Sequence, residues 1–398
     1  MKIQGILTVG LCLLVLSGCS PYTTPSPTAV FPNGAETSVG LTESVSLTTP
    51  SPTTGISSET EHAIAKLVMD TLQQTPLAGL TLGIQRGGQV PFISGYGYAN
   101  LETQLPASAD TVYMLGSVTK QFAAAVIMHL AEQGKLGLDD PISQYLVDIP
   151  QRWEVVTIRQ LLNHTGGIPN YYTSNMGFDI TQVYTPEELM VKYTQWNLLD
   201  FEPGTRWEYS NRGYYLLGMI IKQITGQNYI DYLRQQITLP IGLEHITSCV
   251  VPPENLAQGY QLLTFGGELE LASEVNASFA YGAGDICSTA GDLLEWQRAL
   301  ASGRVVSEES YQMMITPLVL PSDIPTGYGF GLEIGESNGR SVISHAGGIP
   351  SGFITLLVYY PAEDYGIALL TNAITPALNP LTSLEGLITA EVLKNPSD

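Results

Sequence analysis

Charge is scarce in this chain. Asp, Glu, Lys and Arg make up 13% of the 398 residues, about half the usual share. Bases are scarcer than acids: 16 Lys and Arg stand against 37 Asp and Glu, giving a formal net charge of −21. The acidity therefore comes from few bases, not from acidic runs, and such a surface repels phosphate backbones, which argues against a nucleic-acid partner. Cysteine is also rare, with four in the chain, and the five histidines (62, 129, 164, 245 and 345) are scattered. Neither set has metal-ligand spacing, so no metal and no cofactor is expected. The N-terminal apolar run, Ile6 to Leu16, is too short to span a bilayer comfortably. No internal repeat is visible.

Apolar residues are plentiful at 44%, with 21 tyrosines and 4 tryptophans, so a sizeable core can be buried. At this length the chain suits one large or two intimate domains. Residues 1–18 have a signal-peptide layout, a lysine at position 2 followed by the short apolar run. That run ends in Leu16-Ser17-Gly18-Cys19, which resembles the bacterial lipobox. The resemblance implies cleavage before Cys19, a lipid on Cys19 and a place in the bacterial cell envelope. Residues 19–57 are rich in Ser, Thr and Pro and read as a tether. Cys249 and Cys287 remain; in an oxidising compartment they can pair or stay free.

Order is expected from residue 58. SSETEHAIAKLVMDTLQQT has helical apolar spacing, and LTLGIQRGGQVPFISGYGYAN reads as two strands turning at Gly87-Gly88. The middle offers helices in VTKQFAAAVIMHLAEQGKL, TPEELMVKYTQW, GYYLLGMIIKQITG and NYIDYLRQQI. Thr289 and Asp292 have capping-box spacing ahead of another helix. Beyond 326 the period changes to strands in TGYGFGLEIG, SVISHAGG, FITLLVYYP and YGIALLTN, and LTSLEGLITAEVLK reads as a closing helix. The expected fold is α+β: an antiparallel sheet from 58–116 and 286–395, flanked by terminal helices, with a mostly helical part at 117–285.

Lys120 is the one lysine with a serine, Ser117, three residues upstream. On a helix the two share a face, and the first turn favours a developing anion at Ser117. A lysine on so apolar a helix would be a depressed-pKa base able to activate a hydroxyl. The plainer alternative makes Ser117 an N-cap and Lys120 a snorkelling side chain.

Two later motifs bear on that choice: Tyr209-Ser210-Asn211 and His345-Ala346-Gly347-Gly348. In this order, with LLNHTGGIPNYY at 161–172 and AYGAGDICSTAGDLLEW at 280–296, the set resembles the penicillin-recognising serine hydrolases. The tyrosine motif is similar to the class C β-lactamases and their D-alanyl-D-alanine carboxypeptidase and esterase relatives. The resemblance implies that Ser117 is acylated, that Lys120 and Tyr209 move its proton, and that Asn211 holds Lys120 and the substrate amide. It implies an oxyanion hole from the backbone of Ser117 and Gly348, with Gly347 allowing close approach. His345 stands where a β-lactamase has lysine. As an imidazole it would grip a substrate carboxylate weakly and with pH dependence, which favours a peptidase, esterase or amidase; alternatively it only caps a strand end. His164 reads as fixing its own loop, Tyr171 and Tyr172 as lining the mouth or packing, and Arg340 as a candidate for an acidic substrate end. The expected partners are a small-molecule or peptidoglycan-derived substrate and, through the lipid, a membrane. Two other readings compete: a catalytically silent peptide-binding protein on the same fold, and a transporter's substrate-binding lipoprotein with two parallel-stranded lobes.

Overall fold

A computed structural model of the chain describes residues 56–170, 179–195, 197–264, 267–323, 325–375 and 380–394. The Cys19 expectation and those for Tyr171 and Tyr172 lie outside the described residues. The N-terminal part holds α1 (Ser58–Gln74), β1 (Gly79–Arg86), β2 (Phe92–Asn100), β3 (Leu105–Pro106), β4 (Tyr113–Met114) and α2 (Thr119–Glu132). The middle holds α3 (Ile158–Leu162), α4 (Pro186–Tyr193), α5 (Asn211–Thr225), α6 (Tyr229–Leu233), β5 (Thr247–Ser248), β6 (Tyr260–Gln261) and β7 (Glu270–Leu271). There follow β8 (Ile286–Ser288), α7 (Ala290–Ala301), α8 (Glu308–Ile315), β9 (Glu333–Ser337), β10 (Arg340–Ile349) and β11 (Phe353–Tyr360). The chain closes with β12 (Tyr365–Thr371), β13 (Ala373–Ile374) and α9 (Pro380–Val392).

Seven strands form one antiparallel sheet in the order β3-β2-β1-β12-β11-β10-β9. The N-terminal hairpin thus joins the C-terminal meander, with β1 beside β12. Both faces are covered, so strand alternation sorts residues between two cores. Ile354, Leu356 and Val358 meet Ile64 and Val68 of α1 and Leu384 and Ile388 of α9. On the opposite face, Ile343, Leu357, Ala368 and Leu370 join the core built on α2, α5 and α7. His345, in step with Ile343, faces that side too. Glycine at 83 lets α7 lie close, since a Cβ there would sit 2.8 Å from Leu294 Cδ1. The antiparallel sheet, the flanking terminal helices and the helices between them follow the pattern of the sequence.

Some boundaries differ from it. Thr326–Leu332 does not extend β9, because Gly327 and Gly331 take left-handed φ values of 68° and 71° and turn the chain. NYIDYLRQQI is α-helical over Tyr229–Leu233 and passes into a π-helical turn at Arg234–Thr238. Cys249 and Cys287 are joined as a disulfide, their Cα atoms 5.4 Å apart, tying the segment after β5 to β8.

Candidate active site

The turn before α2 sets the site. Gly116 has φ +53° and opens a short 3-10 turn, Gly116–Val118, from which α2 starts at Thr119. Ser117 is half-buried on that turn. It is not an N-cap of the usual kind, since no side chain caps α2. Lys120, one turn on, is fully buried at 0% exposure on a helix whose next eight residues are buried as well. Its ammonium group does not snorkel. Nζ lies 3.1 Å from Ser117 Oγ, 2.7 Å from Asn211 Oδ1 and 2.8 Å from the carbonyl oxygen of Ala283. Desolvation holds the Lys120 pKa well below the usual lysine value.

Asn211 is delivered by a helix start. Ser210 caps α5 by accepting from the Gly213 N–H, so Asn211 enters at the first turn, pointing at Lys120. The backbone N–H of Asn211 donates to Asn170 Oδ1 at 3.0 Å, and that of Ser210 donates to His164 Nδ1 at 3.2 Å. His164, buried and at φ +61°, therefore ties its loop to the Tyr209-Ser210-Asn211 motif, a link the sequence did not suggest. Burial, with the charge of Lys120 second, keeps its pKa well below the ordinary imidazole value. Tyr209 lies over this cluster: Lys120 Nζ is 4.9 Å from the Tyr209 ring centre, and the His164 ring is 4.4 Å from it.

The third motif arrives on β10. Its backbone presses against the turn before α2: a Cβ at Gly347 would lie 1.9 Å from the Leu115 carbonyl oxygen and 3.1 Å from the Ser117 nitrogen. A Cβ at Gly116 would lie 2.7 Å from the Gly348 nitrogen. Only glycines permit this approach, which sets the Gly347-Gly348 backbone beside Ser117. Gly348 is exposed and Gly347 buried.

His345 departs from expectation. It is 1% exposed and sits under the site, not at its mouth. Its Nδ1 lies 2.6 Å from the Ala346 carbonyl oxygen, so that nitrogen carries the proton. Nε2, 2.9 Å from the Tyr328 hydroxyl, then accepts from it. Burial first, and the neighbouring Lys120 charge second, push its pKa down to about 3. The imidazole is neutral throughout the working range, and the pH-dependent grip on a carboxylate is lost. Arg340 is no substitute: its guanidinium pairs with Glu363 at 2.9 Å, five residues away from His345 along β10.

Sequence reasoning missed the Ala283 carbonyl, Asn170 and Tyr328. The first two lie in stretches whose flanking text carried the resemblance; Tyr328 had no signal beyond its neighbouring glycines. A separate cleft of about 580 Å³, lined by Arg159, Asn163, Gln312, Met313, Leu318 and Phe330 among others, includes none of Ser117, Lys120, Tyr209 or Asn211. The chemistry, not the size of that cleft, locates the site. Among the described residues no cluster of His, Cys, Asp or Glu could hold a metal ion.

The chain is similar to known proteins in sequence and in fold. The chain is 30% identical to a penicillin-binding protein of Bacillus subtilis (strain 168), over 77% of this chain and 70% of that one. The structure resembles the octameric penicillin-binding protein homologue from Pyrococcus abyssi, with a TM-score of 0.72, 28% identity, and 85% of this chain and 78% of that one covered. It also resembles the D-amino acid amidase from Ochrobactrum anthropi SV3, with a TM-score of 0.74, 26% identity and coverage of 85% and 99%. The family model described as Beta-lactamase matches residues 64–382. With the antiparallel sheet between terminal helices and the ordered serine, tyrosine and glycine motifs, this makes the chain a member of the β-lactamase family of penicillin-recognising serine hydrolase folds.

Proposed function

We propose that the chain is a serine hydrolase, anchored by lipid at Cys19 in the bacterial cell envelope, that cleaves an amide or ester through an acyl-enzyme on Ser117. The observation that carries this reading is the environment of Lys120. A neutral amine has two N–H bonds and one lone pair. Asn211 Oδ1 and the Ala283 carbonyl, at 2.7 and 2.8 Å, accept the two N–H bonds. The lone pair is then left for Ser117 Oγ at 3.1 Å. Burial lowers the amine's pKa, which favours this accepting state.

In the first half-reaction Ser117 Oγ bonds to the carbonyl carbon while its proton passes to Lys120. The carbonyl oxygen gains the negative charge, and the backbone N–H groups of Ser117 and Gly348 would bind it. Each such donor is worth about 10²–10³ in rate. The leaving group departs with a proton supplied through Lys120 and Tyr209. In the second half-reaction Tyr209 takes a proton from water while passing its own to Lys120, the water oxygen bonds to the acyl carbon, and Lys120 returns that proton to Ser117 Oγ as the ester bond breaks. Turnover of an activated nitrophenyl ester tests this. The parent hydrolyses it, and a folded Ser117→Ala variant falls to background; equal turnover by both would remove Ser117 from the mechanism.

A further inference from the structure

Given the Ser117 hydrolase proposed above, we infer that its site takes acyl donors with no carboxylate on the leaving side, and that a carboxylate placed there is rejected. The third motif is where such a group would meet β10, and His345 offers it nothing. Both ring nitrogens are committed inside the protein, to the Ala346 carbonyl and the Tyr328 hydroxyl, and the side chain is buried.

No other base takes its place. The cations nearest the motifs in sequence are already engaged. Arg206 pairs with Glu208, Arg340 pairs with Glu363, and Arg212 is buried with its guanidinium 5.7 Å from the Trp153 ring centre and 5.5 Å from that of Tyr193. The remaining loops supply none: residues 160–191, 235–297, 305–339 and 341–393 contain no Lys or Arg. These stretches hold every segment flanking the third motif, the insert at 250–280 and the loop at 164–180. The insert instead carries Glu254, Glu268, Glu270 and Glu274. A carboxylate entering the site would shed water without gaining a partner, in the field of a chain with a formal charge of −21. A neutral or cationic amide or ester meets neither obstacle.

The test gives the full chain two matched butyrate esters, one leaving as nitrophenol and one as a carboxynitrophenol. Each kcat/KM is divided by the hydroxide-catalysed rate of the same ester. The expected result is a normalised preference for the neutral ester of about threefold or more, rising towards about tenfold at low ionic strength. A smaller preference, parity or a preference for the carboxylated ester overturns the inference. If neither ester turns over above the Ser117→Ala background, the hydrolase reading itself has failed and the inference falls with it. The ratio is also followed from about pH 5.5 to 8, across the ordinary imidazole pKa, and in His345→Gln. It stays flat and survives the substitution if His345 is internal. A swing towards the carboxylated ester at acid pH would show the imidazole acting as a cation and would overturn the inference even if the variant fails to fold.

Discussion

Lys120 is the residue on which the proposed chemistry turns, and its burial has a measurable cost. Its folded pKa lies well below that of an exposed lysine, owing to desolvation. Between the folded value and about 10.4, the unfolded chain binds the extra proton. Stability from this group therefore rises with pH across that window, by up to about 1.4 kcal/mol per pH unit, and is lowest below the folded value, where both states carry the proton. Lys120→Met removes the titration. Urea midpoints measured from about pH 7 to 9.5 should rise for the parent relative to the variant; parallel curves would mean the amine is solvated. The same variant should lose about 10²–10⁴-fold in ester turnover, as removal of a proton-transfer group does. Ser117 and Lys120 were legible because three residues on a helix fix a shared face. The spacing left two meanings open, and burial with the three partners of Nζ removes the snorkelling one. His345 was misjudged because an imidazole's charge depends on solvent, which no spacing reveals.

At the scale of elements, the site depends on β10 touching the turn before α2. Gly347→Ala would put a carbon 1.9 Å from the Leu115 carbonyl oxygen, a backbone atom that cannot swing away. Strand and turn must part, so the proposed oxyanion donors would separate. Ester turnover should drop by about 10²-fold or more, since one misplaced donor has that effect. Gly88→Ala, where a Cβ meets nothing within 4 Å, should leave it unchanged. Equal effects from both would show that the contact is incidental. A second device is the disulfide, which closes a loop of sequence separation 38 between Cys249 and Cys287. By chain entropy, replacing both by alanine should lower unfolding free energy by about 4 kcal/mol, read from denaturant melts. No change would mean that the denatured chain is already compact there. The elements themselves were well marked: the cap at Thr289 and the glycine turn at 87 follow local rules. The pairing of these cysteines was not, because proximity across 38 residues is a tertiary fact.

For the whole molecule, the sheet closes only when both ends of the chain meet. β1 pairs with β12, and α1 and α9 bury Ile64, Val68, Leu384 and Ile388 against the same face. The antiparallel order was readable from consecutive strands with short turns; β1 lying between β2 and β12 was not, since nothing in a strand's own sequence names its distant partner. The Leu16-Ser17-Gly18-Cys19 sequence lies outside the described residues. If Cys19 carries lipid, the parent sediments with membranes when expressed in a bacterium, and Cys19→Ser moves to the soluble fraction. Identical fractionation of the two would contradict the anchor.

The central claim is that Ser117 is an activated nucleophile, and intact mass after treatment with a serine-directed fluorophosphonate tests it most directly. The full chain should gain one adduct, located by peptide mapping at Ser117, while folded Ser117→Ala gains none and Lys120→Met reacts far more slowly. A folded parent that takes up no probe, or an adduct that persists in Ser117→Ala, would contradict the account.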